Sequence, residues 1–127
     1  MLPGVSFREI LDPAGDSATF LTFFLPEREQ CDRVSRVLRE QGAAAVRWSE
    51  NAWHYYPNWE HLLEAKTPCH GGWPFTAHGK RRVIYDPQAL PASAAILERT
   101  LTYQVPILLA EHQKSRIAAA LQQAARA

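Results

Sequence analysis

The chain has 127 residues, with 14 Lys and Arg against 13 Asp and Glu, and therefore a formal net charge of +1. A composition of 46% hydrophobic and 21% charged residues excludes an intrinsically disordered chain, and the length suits one domain over residues 1–127. The charge balance gives no basic footprint for nucleic acid, and the longest apolar stretch, residues 20–25, is too short to cross a membrane. Residues 1–4 show no secretory pattern, so we expect a cytoplasmic protein in which Cys31 and Cys69 remain free thiols.

The predicted elements of the first half follow the order β-β-α-β. Alternation in residues 5–10, then a turn-forming run, then a β-branched and aromatic run in residues 18–25 predict a hairpin. The second strand is apolar almost throughout, which is typical of a strand covered on both faces or central in a sheet. Residues 27–41 predict an amphipathic helix that closes at Gly42, and residues 43–48 predict a short strand. The residues near one face of this helix are Cys31, Val34, Val37, Leu38 and Gln41.

The second half opens with a long aromatic segment, residues 49–91, in which only residues 59–66 predict a helix. Residues 91–100 predict another helix, residues 101–108 a strand interrupted by proline, and residues 111–125 the last helix. The apolar face of that helix consists of Ile117, Ala120, Leu121 and Ala124. The whole pattern predicts a two-layer α+β fold of the α/β type, with a small, mostly antiparallel sheet and helices mainly on one face.

Metal-ligating residue types concentrate within 25 positions of the aromatic segment. They are His54, His61, Cys69, His70 and His78. Zinc binds imidazole nitrogen and thiolate sulfur, but protein zinc sites usually pair ligands two to four residues apart, and the gaps here follow no such template. We therefore favour polar surface or substrate-contact roles and predict no metal site.

Two further motifs have a functional and an ordinary interpretation. The adjacent Cys69 and His70 contain a nucleophile and a base, but neighbours in sequence seldom point at each other, so a plain loop thiol is favoured. The glycines at 71–72 and the basic run at 79–82 invite a phosphate or carboxylate ligand. Neither run is a P-loop, and a solvated surface is favoured for the basic residues.

The aromatic run at residues 53–59 is the most distinctive feature. The run reads Trp53-His54-Tyr55-Tyr56-Pro57-Asn58-Trp59. Aromatic rings with polar tips suit a sugar-binding or protein-interface surface, and they equally suit a loop packed on a sheet by its own side chains. Both interpretations stay open.

Several segments together resemble the C-terminal small domain of sugar aminotransferases of the DegT/DnrJ/StrS family, over nearly the whole chain. The nearest likeness is to the branch that aminates the terminal carbon of an octulosonate (Kdo-type) sugar, a class of sugar found in lipopolysaccharide. The segments that carry the resemblance are Asp12-Pro13-x-Gly15-Asp16-Ser17-Ala18-Thr19-Phe20-Leu21-x-Phe23-Phe24-Leu25-Pro26, Trp53-His54-Tyr55, Asn58-Trp59-x-His61-Leu62 and Arg99-Thr100-Leu101.

The resemblance implies a pyridoxal-phosphate (PLP) enzyme whose cofactor lysine and most cofactor contacts lie in a large domain that has no counterpart in these residues. It therefore implies that this chain alone contains no catalytic residue and binds no cofactor. The chain would then be a fragment, or a separately encoded piece, that is inactive without its large partner. The small domain would supply a wall of the sugar site. At the matching positions, the resemblance assigns to that wall Trp53, His54, Tyr55, Asn58 and Trp59, with His70 in the loop that follows. An apolar face bared by separation would also favour a homodimer or other self-association. The alternative is a free-standing, non-catalytic module that binds carbohydrate or protein.

Overall fold

The structure, a computed structural model, describes residues 2, 4–77, 79 and 84–126. Within this part of the chain, four strands form one sheet accompanied by four α-helices. The strands are β1 (Ser6–Phe7), β2 (Phe20–Phe24), β3 (Val46–Arg47) and β4 (Thr100–Gln104). The helices are α1 (Arg28–Glu40), α2 (Glu60–Leu63), α3 (Pro91–Leu97) and α4 (Glu111–Ala124). None of the helices in the described residues is long and apolar enough to cross a membrane.

The sheet is antiparallel throughout, in the order β1-β2-β4-β3. The predicted hairpin is confirmed, because Ser6 pairs with Phe24 and Phe7 with Phe23. Strand β2 is central, one of the two alternatives for its apolar sequence. It is not fully covered, since Phe20 is 52% and Leu21 40% exposed.

The core lies between one face of this sheet and the helices α1 and α4. Phe23 and Leu101 are register partners whose side chains therefore share a face, and both are buried. The remaining core residues come from the residue after β2, from α1 and the turn that follows it, and from α4: Leu25, Cys31, Val34, Val37, Leu38, Ala43, Ala120 and Ala124. The small, mostly antiparallel α+β fold predicted from the sequence is the one observed.

Several predicted elements are shorter than expected. The strand predicted over residues 5–10 covers only Ser6–Phe7, the one over 18–25 covers Phe20–Phe24, and the helix predicted over 91–100 ends at Leu97.

Three more are shortened for a local reason. The strand predicted over residues 43–48 begins only at Val46, because the Ala43 amide donates to Leu38 O (2.8 Å) in the glycine-closed end of α1. The helix predicted over 59–66 ends at Leu63, and Ala65 then adopts a positive φ of 52°. The strand predicted over 101–108 stops at Gln104, shortly before Pro106, which has no amide hydrogen to donate.

Candidate functional site

The aromatic segment is anchored to the sheet face opposite the core. Thr22 and Thr102 are register partners there, with their hydroxyl oxygens 2.9 Å apart. Trp48 Nε1 donates to Thr102 Oγ1 at 2.8 Å, so the indole is attached to the centre of the sheet. The short 3-10 turn Trp48–Glu50 therefore begins the segment from a rigid position.

Asn51 shapes the next turn. Its Oδ1 accepts hydrogen bonds from the backbone amides of Trp53 and His54, both at 2.8 Å, in the manner of an Asx turn. The same oxygen lies 3.2 Å from His54 Nδ1. The His54 ring also meets Trp48 edge-on, with ring centroids 5.3 Å apart and an interplanar angle of 81°. Both the backbone and the ring of His54 are thus held in place.

Tyr55 ties the segment to the end of α3. Its side chain is 7% exposed, and its hydroxyl donates to Glu98 Oε1 at 2.8 Å. Glu98 Oε1 also accepts from Arg28 Nη1 of α1 at 3.3 Å. Burial raises the pKa of the Tyr55 phenol, and the hydrogen bond to the Glu98 carboxylate raises it further. Tyr55 is therefore a neutral donor at physiological pH.

Trp59 lies in a small stack of rings. Its centroid is 5.8 Å from that of Tyr56, edge-on, and 6.0 Å from that of His61, with planes inclined by 29°. Asn58 Nδ2 donates to Ser49 O at 3.0 Å, which closes the segment back on its own start. Trp59 Nε1 is buried and has no hydrogen-bond partner among the described residues.

These contacts leave a groove of about 240 Å³ between the aromatic segment and α3, which we call the aromatic groove. It is lined by His54, Tyr55, Tyr56, Pro57, Trp59, Leu90, Ser93, Ala94 and Leu97. Aromatic and aliphatic side chains dominate, and His54 and Ser93 add polar atoms able to orient a ligand. The arrangement suits a small molecule that has apolar faces and hydroxyl groups.

The structure brings together half of the six residues predicted to contact ligand. His54, Tyr55 and Trp59 line the aromatic groove. The other three lie outside its lining: Trp53 is 83% exposed, Asn58 is engaged with the backbone, and His70 is exposed in the turn His70–Gly72.

Sequence reasoning missed the α3 side of the groove and the role of Asn51. The α3 residues are far away in sequence and belong to an ordinary helix pattern, so no local signal marks them. Asn51 did carry a signal, since an asparagine two residues before a turn commonly accepts hydrogen bonds from the following amides.

The histidine and cysteine residues and the basic run considered in the sequence analysis form no further site within the described part of the chain. No group of three or more His, Cys, Asp or Glu side chains is placed there to hold a metal ion. His78 lies outside the described residues, as do Lys80, Arg81 and Arg82 of the basic run. Cys69 and His70 are both exposed.

Neither described lysine fits the role of a lysine that forms an imine with PLP. Lys66 donates to Glu60 and contacts Glu64, each at 2.9 Å, and these hydrogen bonds raise the pKa of its ammonium group to about 12. An imine-forming lysine needs the opposite, a lowered pKa. Lys114 is exposed and pairs with Glu111 on the same helix. Neither Lys66 nor Lys114 therefore has the features of an imine-forming lysine, and no reaction step is assigned to them.

No protein-family model matches this chain.

Proposed function

We propose that this chain is the C-terminal small domain of a PLP-dependent sugar aminotransferase of the DegT/DnrJ/StrS type, and that its aromatic groove forms one wall of the sugar site. The protein then acts in the cytoplasm, with a large PLP-binding domain as its partner, and is a homodimer or otherwise self-associated. It binds neither nucleic acid nor membranes.

The observation that carries the proposal is the convergence of three residues of the family-like motifs on one concavity. His54, Tyr55 and Trp59 come from the segment that resembles the family, and they meet α3 in the aromatic groove. The fold agrees with the small antiparallel domain that the resemblance implies. A sugar ring has apolar faces that lie against aromatic rings and hydroxyls that need polar partners, and the groove lining contains both kinds of group.

Catalysis on this proposal is divided between domains. PLP, when bound by the large domain, supplies the electron sink for transferring an amino group from a donor, glutamate by analogy with the family, to a keto or aldehyde sugar. The residues of this chain bind and orient the sugar and keep water from part of its surface. We therefore expect the chain to be inactive alone.

Complementation tests this division of labour. The large domain of such an enzyme is expressed separately, and aminotransferase activity on an octulosonate aldehyde is measured with and without the 127-residue chain. We expect activity only with both parts. Mass spectrometry of the native protein from its source cells shows beforehand whether the two parts are one polypeptide or two.

A matched pair of tryptophan variants localises the sugar wall. Trp59→Ala removes a ring from the aromatic groove, whereas Trp73→Ala removes a 61% exposed ring outside the lining. We expect Trp59→Ala to raise KM for the sugar and Trp73→Ala to leave it unchanged. A large domain that binds PLP but gains no activity from the wild-type chain would sink the proposal.

The alternative, a free-standing binding module, draws on one observation. Trp53 projects at 83% exposure from the Asn51 turn, outside the aromatic groove. A large exposed ring on a well-held turn is typical of a contact surface. Two results together would favour this function instead. The chain would bind a sugar or protein with an affinity that Trp53→Ala weakens, and it would confer no activity on a large domain.

A further inference from the structure

The orientation of the Asn51 amide is settled by the backbone around it. Its Oδ1 lies 2.8 Å from the amide nitrogens of both Trp53 and His54, and those two groups can only donate. The opposite assignment would set the donor Nδ2 group of Asn51 against two N–H donors. The atom that faces the His54 ring is therefore an acceptor.

An acceptor at this position dictates which nitrogen of His54 bears the proton. Nδ1 of His54 lies 3.2 Å from Asn51 Oδ1, and the contact is a hydrogen bond only when Nδ1 carries hydrogen. In a neutral imidazole, one nitrogen donates and the other accepts, and the partner of one sets the state of the other. Nε2 then carries the lone pair, and no described residue hydrogen-bonds it.

We propose that Asn51 is a positioning residue that holds His54 as the Nδ1–H tautomer, so that Nε2 is the hydrogen-bond acceptor presented to a ligand of the aromatic groove. That the ligand is a sugar rests on the proposed function. The tautomer itself selects a chemical group: neutral Nε2 accepts from a hydroxyl or an ammonium N–H but donates nothing to a carboxylate or a carbonyl. Since a sugar offers hydroxyl donors, the proposed function makes the ligand group at this position a hydroxyl.

The Trp48 ring restrains the orientation of the His54 ring. Its edge-on contact with His54 opposes rotation of the imidazole, and Trp48 is itself held by Thr102. A ring held on one side by Asn51 and in perpendicular contact with an anchored indole presents Nε2 in one direction. Such support is what precise positioning of a binding group requires.

Nitrogen-15 NMR on the whole 127-residue chain at pH 8.5 tests the assignment. We expect the proton on Nδ1 of His54 in the wild type, the same state in Asn51→Asp, and a shift toward Nε2–H in Asn51→Ala. Asn51→Asp keeps the acceptor oxygen for both backbone amides, so it controls for loss of the turn. His61 is the internal reference and stays unchanged in all three spectra. A wild-type proton on Nε2, or an unaltered tautomer in Asn51→Ala, overturns the proposal.

Titration with the octulosonate sugar Kdo tests the acceptor role. The Nε2 resonance of His54 moves on binding, and His54→Ala weakens binding about tenfold, the value of one ordinary hydrogen bond. His54→Gln, which places an amide near the position of Nε2, restores most of the affinity. Binding that leaves the Nε2 resonance unmoved contradicts the acceptor role. Absence of any sugar binding even when the large domain is added, with the proton found on Nδ1, contradicts the proposed function while supporting the positioning role of Asn51.

Discussion

Tyr55 and Glu98 lie 43 residues apart and are joined by a 2.8 Å hydrogen bond that connects the aromatic segment to the end of α3. The two walls of the aromatic groove come from these same elements. This single bond therefore helps to set the width of the groove, and it is the first contact to test by substitution.

Tyr55→Phe removes the donor and leaves the ring in place. A hydrogen bond to a charged acceptor contributes about 1.5–3 kcal/mol, but Glu98 is partly exposed and keeps Arg28. We expect a loss of about 1–2 kcal/mol in the free energy of unfolding, measured by urea denaturation. Tyr103→Phe is the control, since the Tyr103 hydroxyl has no partner among the described residues. Equal losses in both variants would contradict the assigned role.

The raised pKa of Tyr55 also predicts a difference at alkaline pH. In the unfolded chain, the phenol loses its proton near its ordinary pKa of about 10. In the folded chain it holds the proton to higher pH, because it is buried and donates to Glu98. The unfolded state thus binds fewer protons above pH 10, and stability falls as pH rises. We therefore expect the free energy of unfolding, measured from pH 9 to 11.5, to fall more steeply for the wild type than for Tyr55→Phe.

Thr102 supports the aromatic segment from the sheet. It is 4% exposed and accepts from Trp48 Nε1. Thr102→Val keeps the shape but leaves that indole donor unpaired, which costs about 1–3 kcal/mol. Thr22→Val breaks only the hydroxyl pair and leaves the Trp48 bond intact, so its loss is expected to be smaller. Urea denaturation ranks the two, and the reverse ranking would show that the Trp48 bond contributes little.

The two cysteines are expected to differ sharply in reactivity. Cys31 is fully buried, and burial raises the pKa of its thiol against the opposing effect of nearby Arg47. Cys69 is exposed. A disulfide reagent at pH 8 is expected to label one thiol per chain quickly and the second only as the chain unfolds. Cys69→Ser removes the fast phase; two fast equivalents in wild type would contradict the burial of Cys31.

Local sequence patterns predicted where the helices and strands lie. They did not predict the aromatic groove, because its walls meet through contacts between residues that are distant in sequence. The spacing of Cys31, Val34 and Leu38 encodes a helix face, because neighbours on one face recur every three to four residues, and α1 matches to one residue at each end. No such periodicity predicts that Tyr55 contacts Glu98, or that α3 forms the second wall of the aromatic groove. Those contacts depend on how the chain returns to the sheet, which single-residue preferences do not encode.

Self-association is predicted through a second, apolar groove of about 220 Å³ on the core side of the sheet edge. Its lining is apolar apart from one glutamine: Leu2, Val5, Phe7, Leu21, Phe23, Leu121 and Gln122. Phe7 is 61% and Leu21 40% exposed, and water contact with such a patch is unfavourable. Covering it with the same patch of a second copy removes both from water.

The oligomeric state decides this last prediction. Light scattering on a sizing column is expected to show a dimer or larger species at high concentration in wild type and a monomer for Leu21→Gln, since an amide placed in the groove must lose water without gaining a partner. Leu108→Gln is the matched control, because Leu108 is 88% exposed and lies outside the groove. A wild-type chain that stays monomeric would contradict self-association. A dimer that Leu108→Gln dissociates and Leu21→Gln does not would show that the interface lies outside this groove.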